Sequence, residues 1–463
     1  MHSLSKRELL QRALFGSGAL GLRALATGLP ASFLLNQRTA LAQSTIDPTF
    51  LVLSNSQLGH PINANCPGTY PQNPGDTNDP LRQIDHPQVS QLGNTVRGTV
   101  NGTNFRAADF QNPVDLRLGG NTYKAAGPWA ALPAALRNRM AFFHHSTYAN
   151  AHPEFSNVMR FHGAVKGQDG TGQEMLSSAI AQETADALGT LTTQPINLGG
   201  SRVTYEGATL GLFRPRQIKS LFDGGQHPTR ATDPQMVVRL RDATLDQIYR
   251  RVQTSGSAAQ KAFLDRYALG RAQAAQLGDQ LGPLLQNVDA DGPVAQIRTA
   301  VALFRLRVTP VVVLQAPFGG DNHQDTQLAN EVAQTIQSVE TIRLLWTELV
   351  AAGLQDQVTF AYLDTFGRDL VRNSSGGRDH NRDHHTMLMF GPRIVPSVVG
   401  RLEPITNRNG TLRDFGVASI NNIPKEQSLE TAGKTLAKAV GLSDARINTR
   451  ILGGRILTRL INS

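Results

Sequence analysis

Apolar and polar positions along this chain alternate between short, wholly apolar runs and longer stretches of helical periodicity. Phe50–Leu53, Met140–Phe143, Pro310–Gln315, Val358–Leu363 and Met387–Phe390 are apolar runs of strand length, rich in β-branched and aromatic residues. Between them lie helical patterns. Met175–Leu188 and Val294–Leu306 are two, and Glu426–Val440 is another. The clearest is Thr326–Ala352, with Val332, Ile336, Val339, Ile342, Leu345 and Leu349 at helical spacing. Pro128–Asn138 and Pro153–His162 predict shorter helices. Met236–Arg251 and Ala258–Gln286 predict packed helices with wet faces, because no heptad is sustained. Val89–Phe105 predicts an exposed hairpin, with turn signals at Gly93-Asn94 and Asn101-Gly102. A Gly-rich turn falls at Leu198–Ser201. Strands separated by helices imply an α/β fold with a mainly parallel sheet, in three α/β/α layers.

The first 42 residues stand apart. Ser5-Lys6-Arg7-Glu8-Leu9-Leu10 precedes a mildly apolar, Gly/Ala-rich stretch, and Ala40-Leu41-Ala42 offers a cleavage site. This resembles a twin-arginine export signal in which Lys6 replaces the first arginine. The expectation is passage through the twin-arginine export machinery to the periplasm or the exterior. The mature chain, 43–463, is then a single α/β domain, with 230–306 as a helical insertion.

Composition changes this picture little. The chain has 463 residues, 40% hydrophobic and 17% charged, which suits a sizeable globular core. Net charge is +9; five Lys/Arg against Glu8 place +4 of it in the first 42 residues and leave +5 for the rest, with no long basic run. That points to no nucleic-acid partner. Cys66 is the only cysteine, so no intrachain disulfide forms. No stretch after the leader has the roughly 18 apolar residues of a membrane span.

Candidate chemistry gathers at strand ends, where open α/β sheets build their sites. Gly319-Gly320-Asp321-Asn322-His323-Gln324-Asp325 follows one apolar run. Asp364-Thr365-Phe366-Gly367-Arg368 ends another, and Gly376-Gly377-Arg378-Asp379-His380 lies in the loop after it. Of twelve histidines, His144, His145, His152 and His162 fall in one window, and His323, His380, His384 and His385 in a second. Mixed carboxylate and imidazole ligands suit hard-to-borderline divalent ions. His384 and His385 alternate along a strand, so at most one of them faces a site.

These motifs resemble the domain-of-unknown-function 1501 family, exported bacterial proteins related to the alkaline phosphatase and sulfatase superfamily. Family members usually show W-D-T-H-x-x-Q, S-E-F-G-R and G-R-D-H. The resemblance spans most of the mature chain and is strongest from Val311 to Gly391. It implies an alkaline-phosphatase-like fold and one divalent ion, Zn, Mn or Ca, on Asp321, His323 and His380. Asp364 matches a ligand of a second ion, but Thr365 stands where a His, Asn or Glu is expected. The loop Ser54–Pro67 carries no carboxylate where superfamily enzymes place an Asp, and offers His60 among other residues. Thr147 is a candidate nucleophile alongside Ser146 and Cys66, and Arg368 or Arg378 is expected to hold an oxyanion. The implied activity is hydrolysis of small anionic esters, phosphates or sulfates. The alternative is a catalytically degenerate periplasmic protein that binds a metal or anion or acts at the cell surface.

Overall fold

The fold is described by a computed structural model covering residues 47–462, apart from 60, 74, 94, 223–246, 248–249, 252–253, 258–279, 316–319 and 421. The expected leader at 1–42, much of the expected insertion at 230–306, and His60 lie outside the described residues.

Seven strands form the central sheet: β1 (Phe50–Ser54), β2 (Met140–His145), β3 (Ile196–Asn197), β4 (Val311–Leu314), β5 (Val358–Tyr362), β6 (His385–Phe390) and β7 (Ser397–Val399). Their order across the sheet is β7-β2-β6-β5-β1-β4-β3. Four of the six pairings are parallel, and β6 runs antiparallel to both its neighbours. The chain is therefore mixed α/β with a mainly parallel sheet. The long strands are buried throughout and mostly apolar because both faces are covered. Phe50, Val52, Phe142, Val312, Phe360 and Phe390 enter one core, shared with helices α2 (Pro293–Arg305) and α3 (Ala329–Ala351). The alternate residues Leu51, Leu53, Phe143, Val313, Met387 and Met389 enter the other, shared with α1 (Leu176–Leu188) and α4 (Ser428–Val440). Strand period two is what divides the two cores.

Local chemistry explains where several elements stop. α1 and α4 end at Gly189 and Gly441, both left-handed. The helix expected over 128–138 is two short turns, Gly127–Ala130 and Ala134–Arg137, because Pro133 cannot continue the first. The expected 153–162 helix is short too. Phe155–Met159 is helical, and the backbone then turns left-handed at Phe161 and His162. The Asn101-Gly102 turn closes the hairpin Arg97–Val100/Thr103–Arg106, whereas Val89–Leu92, expected as strand, is one helical turn. Among the described residues no helix is long and apolar enough to cross a membrane.

The topology sends four loops to one edge. β1, β4 and β5 are parallel, so segment 55–59, Gln315 and segment 363–381 leave from the same side, the side on which 320–325 also lies. β6 runs against β5 and β2 runs against β6, so His385 begins and His145 ends at that same edge. The 146–152 segment therefore joins the others.

Candidate metal centre

Three imidazoles and a carboxylate meet on this edge. Gly367–Arg368 pairs antiparallel with His380–Asn381, setting His380 across from Arg368. The His380 ring stacks on Phe366 with centroids 3.9 Å apart and meets the His152 ring edge-on at 4.8 Å. One ligand atom each from His152, Asp321 and His380 lie within 4.8 Å of one another. His323 adds its Nε2, 3.0 Å from His380 Nε2 and 3.4 Å from Asp321 Oδ1.

The partners of each ring decide which nitrogen is free. His152 Nδ1 lies 2.6 Å from the Gln57 carbonyl, and His380 Nδ1 lies 2.6 Å from the Asn150 carbonyl. His323 Nδ1 lies 2.7 Å from Asp379 Oδ1. Carbonyl and carboxylate oxygens only accept, so each Nδ1 donates its proton and each Nε2 is left as a lone pair in the neutral ring. Two bare Nε2 atoms at 3.0 Å repel unless a proton or a cation sits between them. Imidazoles held by such outer partners are the usual arrangement around a bound metal. Zn–N bonds of about 2.05 Å at tetrahedral angles put donor atoms about 3.3 Å apart, so the His323 pairs are already near that spacing, and donors as far apart as 4.8 Å must close by up to about 1.5 Å to seat an ion. The donor set fits a divalent cation.

Surrounding groups hold the set in place. Burial lowers the His380 pKa, helped by Arg368, His323 and His152 and opposed by the Asn150 hydrogen bond, which keeps the ring neutral and able to ligate. Burial would raise Asp379, but hydrogen bonds from Asn373 and His323 hold it below its ordinary value. Asn373 Nδ2 donates to Asp379 at 2.9 Å and to the His323 carbonyl at 3.1 Å. Gly377 makes this approach possible, because a Cβ there would lie 2.2 Å from the Asn322 carbonyl oxygen and 2.4 Å from that of His323.

The remaining residues expected at the site are placed elsewhere or face another way. Arg368 is fully buried. Its Nη2 donates to the carbonyls of Leu58 and Gly320, the latter at 2.9 Å, and to Asp321 Oδ1 at 3.4 Å. It ties the 320–323 loop to the 55–59 loop rather than presenting N–H groups to a substrate anion. Arg378 is also fully buried: its Nε and Nη2 donate to Glu331, its Nη1 to the carbonyls of Asp369 and Leu370, and its Nη2 to that of Asp85. All its donors are used, so Arg378 does not form the expected oxyanion clamp; the buried Arg368 Nε has no hydrogen-bond partner among the described residues. Asp364 does not join the cation set. Its Oδ1 accepts from the N–H groups of Ser56 and Thr365, both at 3.0 Å, and its Oδ2 from the Tyr362 hydroxyl at 2.6 Å. Burial pushes this carboxyl up to about 8 against the pull of those donors. Thr147 is fully buried, and its hydroxyl has no hydrogen-bond partner among the described residues, so it is closed to solvent.

His384 and His385 are both buried and both turn inward. His384 Nε2 lies 2.8 Å from His144 Nδ1, and His385 Nδ1 lies 3.1 Å from His145 Nε2. Burial pushes the Cys66 thiol up to about 12, which leaves it an unreactive core residue. His152 and Asn150 carry parts of the site that motif spacing did not single out, and Asp379, which stood in the Gly-Arg-Asp-His motif without a role, orients His323. The one signal for His152 was its membership of the 144–162 histidine window.

The chain matches no known family model and no curated protein.

Proposed function

We propose that the chain is an exported, metal-dependent hydrolase-like protein of the alkaline phosphatase and sulfatase superfamily, acting on phosphate or sulfate esters in the periplasm or outside the cell. A three-layer α/β/α fold of that superfamily is part of the same reading, and the helices on both faces of a mainly parallel sheet are compatible with it. One observation carries the reading: His152, Asp321 and His380 each bring a ligand atom within 4.8 Å of the others, and His323 Nε2 lies 3.0 Å from His380 Nε2 and 3.4 Å from Asp321. Imidazole-rich donors favour Zn or Mn over Ca, which takes oxygen shells. A divalent ion held there would polarise an ester oxygen and lower the pKa of water. His152, His323 and His380 would bind it through Nε2, and Arg368 would orient Asp321 beside them.

A second reading, an exported metal- or anion-binding protein without turnover, is favoured by one observation. The Thr147 hydroxyl is buried, Arg378 is committed to protein acceptors and Arg368 is fully buried, so neither the expected nucleophile nor the expected clamp is open to a substrate. Metal analysis of the purified protein, followed by a panel of aryl phosphates and sulfates with added Zn²⁺ or Mn²⁺, separates the two. Bound metal with ester cleavage supports the hydrolase. Bound metal without cleavage supports the binding protein, and absence of bound metal removes the hydrolase and leaves the second reading only as an anion-binding protein.

A further inference from the structure

A cavity of about 210 Å³ adjoins the cation set, with Asn150, His380, Asp369, Asp414, Arg382 and Arg413 among its lining residues. His380 belongs to both, and Asn150 is the residue whose carbonyl holds the His380 ring. A molecule in the cavity therefore abuts one ligand of the ion, His380. The volume exceeds the roughly 150 Å³ in which a buried apolar cavity accepts benzene, so a leaving group of one ring fits.

The cavity wall holds a proton in a defined place. The side chains of Asp369 and Asp414 are hydrogen-bonded to each other. Two carboxyl groups can do this only by sharing a proton. Asp414 Oδ1 accepts from the N–H groups of Leu370 at 2.8 Å and Val371 at 3.2 Å, and its Oδ2 from Asn381 Nδ2 at 2.5 Å. Three donors mark Asp414 as the ionised member, so the proton sits on Asp369. Several charged or titratable groups surround the pair: Arg378 Nη1 donates to the Asp369 carbonyl, the Asp369 N–H donates to the Asp379 carbonyl at 2.9 Å, Arg413 pairs with Asp383 at 3.6 Å, and Arg382 and His380 line the same cavity. Burial, then the neighbouring Asp414, raises the Asp369 pKa.

Resting on the ester-hydrolase reading, we propose that this cavity is the leaving-group subsite and that Asp369 is the catalytic acid in it. A water oxygen bonds to the phosphorus or sulfur while the bond from that atom to the bridging oxygen breaks. The electron pair goes to the bridging oxygen, which takes the Asp369 proton and departs as an alcohol. The attacking water releases a proton to solvent, and solvent restores the proton on Asp369.

The test uses the full chain loaded with Zn²⁺ and aryl esters graded from 4-nitrophenyl to phenyl. Asp369→Asn keeps the size and a hydrogen bond to Asp414. It is expected to slow the phenyl ester at least 100-fold, as general acid catalysis of about 10²–10⁴ implies, and the 4-nitrophenyl ester less than 10-fold. Independently of turnover, the infrared carboxylic-acid band at pH 7 is expected to shrink in Asp369→Asn while metal content is unchanged. Asp414→Asn removes the charge that raises Asp369, and should move the basic limb of the phenyl-ester rate down by at least one pH unit. Equal slowing of both esters, an undiminished infrared band, or an unmoved basic limb overturns the proposal and leaves the hydrolase reading standing. Failure of the wild-type chain to cleave any ester overturns that reading and the proposal with it.

Discussion

Replacing His152 by alanine probes the convergence of loops most directly. His152 comes from the 146–152 segment, whereas Asp321, His323 and His380 come from loops after β4 and β5, so its loss leaves the other ligands in place. Four-ligand zinc sites are worth about 10–16 kcal/mol in small folded domains, which makes one ligand worth on the order of 3 kcal/mol. At about 1.4 kcal/mol per tenfold change, His152→Ala should weaken Zn²⁺ binding roughly 100-fold. Besides edge-on ring contacts with Phe366 and His380, the His152 ring is held by the Gln57 carbonyl, so the substitution breaks no ion pair among the described residues and the protein should nearly keep its thermal midpoint without metal. Calorimetric titration of Zn²⁺ into metal-free wild type and variant gives the ratio of Kd values, and metal analysis after dialysis checks it. A Kd within twofold of wild type would refute the reasoning, because it would mean that the ring meets no ion and that the 4.8 Å grouping is incidental.

Other outcomes follow from the same geometry. Asp379→Asn removes the carboxylate that orients His323, and should lower Zn²⁺ affinity about 10- to 100-fold with the ligands intact, read by the same titration. Gly377→Ala puts a methyl 2.2 Å from the Asn322 carbonyl oxygen, so urea unfolding should show a loss of about 1–3 kcal/mol together with weaker metal binding. Arg378→Ala leaves Glu331 buried without its cation and should cost about 3–5 kcal/mol by the same unfolding measurement. For His144, burial lowers the folded pKa to about 4, below the ordinary value of about 6.5, so the unfolded chain takes up the proton first as pH falls. Its contribution is whole above about pH 6.5 and is lost as pH drops towards 4, on the order of 3 kcal/mol. Wild type should lose that much relative to His144→Gln over this window, and a pH-independent difference between the two would count against it.

Much of the scaffold could be read along the chain because period and length are local properties. Phe50–Ser54, Val311–Leu314 and Val358–Tyr362 are buried at every position and apolar at all but Ser54 and Thr359, which fits strands covered on both faces, and α3 repeats its apolar residues at helical spacing over 23 residues. The antiparallel β6 carries the same signature as its parallel neighbours, since burial does not encode strand direction. Hairpins such as Leu402–Thr406/Leu412–Val417 were missed because their strands are half-exposed and lack an apolar run.

For the site, sequence by itself determined that Asp321, His323 and His380 leave strand ends, because ligand spacing within a loop and a strand's last residue are both written in order. Only the tertiary structure decided that His152 meets them, that Asp364 is filled by Ser56, Thr365 and Tyr362, and that Arg368 and Arg378 are buried among protein acceptors. The reason is physical. Which side-chain atom is free depends on where distant backbone carbonyls arrive, and Gln57 and Asn150 reach the rings only when the sheet brings four loops to one edge.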